Sequence, residues 1–217
     1  MNGYEIRDDE HGIGKVLILK AGWDKDLKTF MLKESLSALR LTDAFGFKVR
    51  DLSLISDLTF LRSLEVYCWE ARNVKVIGSL TQLEVLGMQF LSTQKIDFSG
   101  FKDLRVAKLT WKKGLTGITE IESLEYLNIQ NYPFDSLMPI TKLRRLKKLY
   151  LTSRKLKSLD GISRLRELEE LDLYNCTELT SMKGIELCQK LTTIEIQACN
   201  RLDAAADVKV NDVPARP

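Results

Sequence analysis

Histidine is almost absent from this chain of 217 residues, which contains only His11. The four cysteines include no C-x-x-C pair and lack the spacing of metal ligands. The glycines at Gly12 and Gly14 are not followed by the rest of a phosphate-binding fingerprint. An enzyme needs polar groups that converge on a substrate, and the sequence offers no such set. We therefore expect a non-catalytic protein without a metal ion or cofactor.

Long apolar runs and a strong net charge are also missing. No run approaches the length of a membrane span, and the first residues, MNGYEIRDDEHGIGK, lack the apolar core of a signal peptide. The 33 basic and 30 acidic residues leave a net charge of only +3. This balance does not favour a nucleic acid or a membrane surface as the partner. We expect a cytoplasmic protein.

What the sequence does contain is a repeat. The pattern L-x-x-L-x-L, or a close variant, occurs nine times at steps of 20 to 25 residues. The copies begin at Gly14, Leu36, Leu61, Leu83, Leu104, Leu124, Leu146, Leu168 and Leu191. The apolar residues at positions 4 and 6 of each copy predict a short strand with one face toward a core. Further apolar residues three and six places before position 1 predict a tight return segment, 3₁₀-like or extended.

A unit of about 22 residues cannot bury so many apolar side chains alone, so the units must stack on one another. The pattern resembles the leucine-rich repeat family, whose strand signature is L-x-x-L-x-L-x-x-N/C-x-L. The last two copies, LEELDLYNCTEL from Leu168 and LTTIEIQACNRL from Leu191, match it best. The resemblance implies an α/β right-handed solenoid, shaped as a horseshoe or arc. It would have a concave parallel sheet of about nine strands and short 3₁₀ or extended convex segments.

Position nine departs from the family, which usually places an asparagine ladder there to cap backbone groups. This position reads Gly22, Ala44, Trp69, Leu91, Lys112, Tyr132, Arg154, Cys176 and Cys199. Only the two cysteines fit the signature, so the sequence does not say how the other turns satisfy their amides. Asn131 and Asn175 lie one place earlier and are alternative caps if the turn is shifted.

The repeat also divides the chain. We predict an N-terminal cap at residues 1–13, a leucine-rich repeat domain at 14–202 and a flexible C-terminal tail at 203–217. Extracellular members of the family usually close their ends with disulfide-bonded caps, and neither end here has a cysteine cluster. We therefore expect four free thiols. A disulfide between Cys176 and Cys199, which take equivalent places in neighbouring copies, is the alternative. The sequence leaves the oligomeric state open, and we favour a monomer.

Residues 142–157, KLRRLKKLYLTSRKLK, contain eight basic side chains and no acidic one. One interpretation is a nucleic-acid site. The other, which we favour, is lateral charge pairing between neighbouring strands, because position 2 alternates in sign. It reads Arg62, Glu84, Arg105, Glu125, Lys147 and Glu169. The same pairing places Lys148 beside Glu170 and Arg145 beside Glu167.

Positions 3, 5 and 7 of each strand point away from the core, onto the concave face, and are free to serve binding. Aromatic side chains with a few charges at these positions are typical of interaction hot spots. The predicted partner-binding residues are Tyr67, Val85, Phe90, Val106, Lys108, Trp111, Tyr126, Tyr150, Asp172 and Tyr174. Phe90 and Trp111 lie at position 8, at the edge of this face, where folding back over the loop edge is an equal alternative.

We therefore predict a scaffold that binds a partner protein through its concave face. Small size and the family resemblance suggest a stand-alone inhibitor or immunity-type protein. A regulatory or sensing subunit of a larger complex is one alternative. Nucleic-acid binding through residues 142–157 is a less favoured one.

Overall fold

The computed structural model of the protein describes residues 3–202. The chain divides into two compact units, Met1–Ile118 and Thr119–Pro217. The predicted tail at 203–217 lies outside the described residues. In the described part, no helix is long and apolar enough to cross a bilayer.

The first unit holds eight strands and one α-helix. The strands are β1 (Tyr4–Asp8), β2 (Lys15–Leu19), β3 (Ala38–Thr42), β4 (Ser63–Tyr67), β5 (Val85–Gln89), β6 (Ile96–Asp97), β7 (Val106–Thr110) and β8 (Leu115–Thr116), and the helix is α1 (Leu27–Lys33). The main sheet has the order β1-β2-β3-β4-β5-β7, in which only β1 is antiparallel to its neighbour. Strands β6 and β8 form a separate parallel pair.

The described part of the second unit, up to residue 202, contains four parallel strands. They are β9 (Tyr126–Gln130), β10 (Lys148–Thr152), β11 (Glu170–Tyr174) and β12 (Thr193–Gln197), paired in that order. Each of the nine predicted copies thus supplies one parallel strand. Within each unit, position 4 of one copy lies in register with position 4 of the next, as in Leu149 opposite Leu171.

Seven short 3₁₀ segments return the chain between strands. They are Asp43–Phe45, Leu52–Ile55, Val74–Ser79, Ile118–Glu120, Met138–Ile140, Ile162–Arg164 and Ile185–Leu187. A glycine directly precedes three of them. Gly117, Gly161 and Gly184 adopt φ values of 82°, 101° and 96°, which residues with a β-carbon disfavour. The predicted repeat fold, with strands on one leg and 3₁₀ segments on the other, is confirmed.

The core lies between these two legs. Leu149 and Leu171 at position 4 are 0% and 1% exposed, and Ile55 and Leu143 on the return legs are fully buried. Each fully buried aliphatic side chain contributes about 1.5 to 3 kcal/mol relative to an exposed one. The stacked leucines are therefore the main source of stability, as the spacing predicts.

Three different side-chain types satisfy the turns at position nine. In the first unit the Asp43 carboxylate accepts the amide of Trp69 at 3.0 Å. In the second, the buried Ser153 hydroxyl donates to the carbonyl of Tyr132 at 2.8 Å and accepts amides of the following turn. The thiol of Cys199 lies 3.5 Å from the carbonyl oxygen of Leu173. No single ladder residue is needed.

Asn131 and Asn175 act differently from the side-chain caps suggested by their position. They adopt left-handed φ values of 59° and 55°, a conformation that asparagine tolerates better than most residues. Their backbone amides donate to Thr152 Oγ1 and to the carbonyl of Gln197. They therefore help to form the turn through the backbone.

All four cysteines are buried free thiols. The alternative of a disulfide between Cys176 and Cys199 is therefore wrong for this structure. Burial raises the pKa of Cys176 to about 12 and that of Cys188 to about 11. Both thiols stay protonated near neutral pH, which suits hydrogen-bond donors and small apolar fillers of the core.

Candidate protein-binding surface

The strands of the second unit alternate between the core and an outer face. In β10, Leu149 and Leu151 are buried, whereas Lys148, Tyr150 and Thr152 are partly exposed. Strands β9 and β11 alternate in the same way. In β12, Thr193, Glu195 and Gln197 at positions 3, 5 and 7 are exposed. Positions 3, 5 and 7 therefore form a continuous outer face across β9–β12.

Tyrosines are the prominent apolar groups on this face. The rings of Tyr126 and Tyr150 meet edge to face with centroids 5.2 Å apart. The Tyr150 hydroxyl donates to Glu170 Oε2 at 2.9 Å, and burial with this carboxylate raises the pKa of Tyr150 to about 12. Tyr174 is 52% exposed. The face thus presents two aromatic rings held by neighbouring side chains, Tyr126 and Tyr150, and one exposed ring, Tyr174.

Two acidic side chains on this face have different surroundings. Glu170 is 2.7 Å from the ammonium of Lys148, whose hydrogen bond lowers the pKa of the carboxyl. Asp172 lies opposite Glu195 in the pairing of β11 with β12. Partial burial and the Glu195 charge raise the pKa of Asp172. One carboxylate is neutralised within the protein and the other is not.

Three predicted contacts in the first unit are not exposed. Val85, Phe90 and Val106 are only 0%, 4% and 5% accessible, so the expectation that they present an open surface is wrong. The Phe90 ring packs against Lys112, whose ammonium lies 5.4 Å from the ring centroid. This agrees with the alternative that Phe90 closes the loop edge, while Trp111 is only partly buried.

The loop between β1 and β2, residues 9–14, contacts side chains on the outer face of the first unit. The Glu10 carboxylate reaches Arg40 at 3.7 Å and Lys108 at 3.8 Å, both at outward positions of their strands. The Arg105 guanidinium donates to the carbonyl of His11 at 2.7 Å. The N-terminal segment therefore does more than cover the first strand, because its loop crosses the outer face as far as β7.

Beneath this loop lies a buried charge cluster. The Glu65 side chain is only 2% exposed and pairs with Arg40 and, at 3.5 Å, with Lys108. The Tyr67 hydroxyl also donates to Glu65, at 2.8 Å, and burial raises the pKa of Tyr67. A β-carbon added at Gly87 would overlap this hydroxyl, so the tyrosine fills the space above the glycine. Tyr67 and Lys108 are therefore used mainly within the protein.

The sequence prediction missed an apolar rim in the first unit. Trp69 and Leu91 are 53% and 65% exposed and line a groove of about 580 Å³ with Arg72 and Gln94. Both occupy position nine, which the sequence analysis treated only as a turn position. A large apolar residue where the signature has asparagine or cysteine was the available signal.

The basic run is partly paired. Lys147 lies 3.0 Å from Glu125 and Lys148 lies 2.7 Å from Glu170, as the lateral pairing predicts. The predicted partner of Arg145 is wrong, because Glu167 instead pairs with Lys190 at 2.5 Å. In the first unit, Glu84 likewise contacts basic side chains on both flanking copies. Among residues 3–202, no group of His, Cys, Asp and Glu could hold a metal ion.

A family model described as the leucine-rich repeat domain of the endo-beta-N-acetylglucosaminidase EndoS matches residues 141–213, less than half of the chain. No curated protein matches the chain. Internalin C2 from Listeria monocytogenes has a similar solved structure, with a TM-score of 0.59 and 22% identity over 74% of this chain and 72% of that chain. A leucine-rich repeat protein of Leptospira interrogans gives 0.51 and 19% over 83% of this chain and 56% of that one.

At these identities the likeness to solved structures concerns the fold alone. The in-register leucines, the parallel strands and the 3₁₀ return segments agree with that likeness and with the family match. Such scaffolds typically serve as protein-interaction modules and are generally non-catalytic. The chain therefore has the leucine-rich repeat fold.

Proposed function

We propose that this protein is a non-catalytic scaffold that binds a partner protein through the outer face of β9–β12. One observation carries the proposal: the ring of Tyr174 is exposed on the same face as the packed rings of Tyr126 and Tyr150. Rigid aromatic groups bind at a low entropic cost and dominate the energy of many interfaces. Packing in the core does not require tyrosine at these outward positions.

The second unit is a better candidate for the partner-binding surface than the first. In the first unit, the loop 9–14 covers much of the outer face, and Val85 and Val106 lie buried there. A partner would first have to displace Glu10 and His11 from their basic neighbours. In the second unit, by contrast, Tyr174, Glu195 and Gln197 are exposed. The proposed contact surface therefore keeps Tyr126, Tyr150, Asp172 and Tyr174 and leaves out the predicted residues of the first unit.

The finer proposal is that the protein acts alone, as a cytoplasmic monomer of the inhibitor or immunity type. A regulatory subunit of a larger complex is the second candidate, and the exposed Trp69–Leu91 rim favours it because it offers another apolar surface. Nucleic-acid binding has less support, because Lys147 and Lys148 already have acidic partners.

The test compares what wild type and variants capture from the native lysate. The face variant carries Tyr126→Ala and Tyr174→Ala, and the matched control carries Leu187→Ala, an exposed apolar residue on a return segment. A protein captured by wild type and control but lost by the face variant would support the proposal, provided that thermal unfolding is unchanged. Equal capture by all three would contradict it. Loss of the captured protein only in a Trp69→Ala variant would favour the Trp69–Leu91 rim as the binding surface.

A further inference from the structure

Two carboxylates of like charge lie side by side on the outer face. Asp172 of β11 and Glu195 of β12 are direct partners in the parallel register. Neighbouring strands are about 4.8 Å apart, so side chains at paired positions on one face are close together. Like charges placed directly opposite destabilise a sheet. The pair is therefore a cost to folding unless something else offsets it.

The rest of the protein avoids such pairs. Where two charged residues are register partners elsewhere in the described strands, their signs are opposite: Lys148 with Glu170, Arg40 with Glu65 and Asp8 with Lys15. Within residues 3–202, neither Asp172 nor Glu195 takes part in an ion pair. A local departure from a rule that the same chain otherwise follows marks a position kept for function.

The neighbours of this pair suit a cation. Tyr150 is the register partner of Asp172 on the other side, and Tyr174 follows two residues later on the same face, 52% exposed. A guanidinium or ammonium group gains from both carboxylates and from the face of an aromatic ring. The chain's own nearby cation, Lys148, cannot supply this charge because Glu170 holds it.

We infer that this acidic–aromatic patch, defined as Tyr150, Asp172, Tyr174 and Glu195, receives an arginine or lysine side chain of the partner protein. The inference rests on the proposed function and specifies the chemistry of its partner. A nucleic acid would be repelled by the two carboxylates. A basic side chain would instead remove the like-charge repulsion as it binds, so binding and stability are coupled.

The first test uses a peptide probe with the whole chain of 217 residues. Gly-Arg-Gly-Arg-Gly with blocked ends is titrated into labelled protein and followed by amide chemical shifts, with Gly-Glu-Gly-Glu-Gly as the control peptide. The arginine peptide is expected to shift the amides of Asp172, Tyr174 and Glu195, with an affinity that falls as salt rises. No binding, or shifts that fall mainly elsewhere, would overturn the inference.

Charge-neutralised variants make this test specific. Asp172→Asn with Glu195→Gln is expected to weaken binding of the arginine peptide about tenfold. The control, Glu122→Gln with Asp160→Asn, removes two exposed acidic charges from the same unit and should leave binding unchanged. An equal loss in both variants would contradict the inference, because only the overall charge would then matter. The thermal unfolding midpoint should not fall in either variant.

The same variants separate this inference from the proposed function. If a captured protein is lost by the Tyr126→Ala, Tyr174→Ala variant but kept by the neutralised pair, the binding face stands and the basic contact is wrong. If both variants keep it, the proposed face is wrong as well. Stronger peptide binding by a Lys209→Gln, Arg216→Gln variant would show that the chain's own last residues occupy the patch, which would also overturn the inference.

Discussion

The guanidinium of Arg105 donates a hydrogen bond of 2.7 Å to the carbonyl oxygen of His11, which lies 94 residues earlier in the chain. This contact ties the loop 9–14 to the outer face of the first unit. Asp9 shapes the loop from within, because its carboxylate accepts the amides of His11 and Ile13. Part of the outer face of the first unit is thus covered by the chain itself.

Removing this anchor should loosen the loop. Arg105→Gln is expected to speed amide hydrogen exchange at His11 and Ile13 and to lower the free energy of unfolding by about 1 to 3 kcal/mol, since the bond involves a charged donor. The matched control is Arg62→Gln, because Arg62 contacts the same Glu84 but not the loop. The control should cost no more than about 1 kcal/mol. Equal exchange rates in the two variants would contradict the anchoring role.

The loop should also make stability depend on pH. Burial and the positive charge of Lys108 lower the pKa of His11, so the folded state favours the neutral ring. The unfolded state takes up this proton first, near pH 6.5, and stability falls as the pH drops through that value. Urea unfolding at pH 8 and pH 5.5 measures the difference. Because His11 is the only histidine in the chain, His11→Gln should remove most of this dependence. A wild-type slope that persists in the variant would assign it to other groups.

Neutralising one member of the like-charge pair should stabilise the protein. Asp172→Asn is expected to raise the free energy of unfolding by about 0.2 to 1 kcal/mol, because Glu195 lies directly opposite. Since the pKa of Asp172 is raised in the folded state, the repulsion should fade in wild type as the pH falls through that pKa and return as it rises. Lys148→Gln, which breaks an attractive pair, should change stability in the opposite direction. A loss of stability in Asp172→Asn would contradict this account.

Ser153 should matter more than its size suggests. It is 2% exposed and joins one donated and two accepted hydrogen bonds in the turn after β10. Ser153→Ala leaves buried groups unpaired and is expected to cost about 1 to 3 kcal/mol in chemical denaturation. The exposed Ser163 gives the control, since Ser163→Ala should be close to neutral. Equal denaturation midpoints for the two variants would contradict this prediction, because they would show that water replaces the hydrogen bonds of Ser153.

The strands and the core could be predicted because they follow from local spacing. Leu149, Leu171 and Ile194 recur at the repeat distance, so stacking of the repeats places them next to one another in the core. The lateral pairs of Lys147 and Lys148 follow from the same register. These features need no knowledge of distant contacts.

The covered face could not be predicted in this way. Val85 and Val106 occupy outward positions but are buried. The loop 9–14, which contacts the same face through Arg105, lies far away in sequence, and no sequence pattern predicts its path. The exposure of Trp69 is likewise set by the turn chemistry at position nine, where Asp43 caps the amide and leaves the indole outside. Periodicity assigns a side chain to a face, but it does not say what else lies on that face.

The most direct test of the binding face is hydrogen exchange of the full chain with and without a captured partner. The account predicts that added protection lies in β9–β12 and the residues that flank them, centred on Tyr150 and Tyr174, with little change at Trp69 and Leu91. Protection confined to the Trp69–Leu91 rim or to the 3₁₀ return segments, with β9–β12 unchanged, would contradict it.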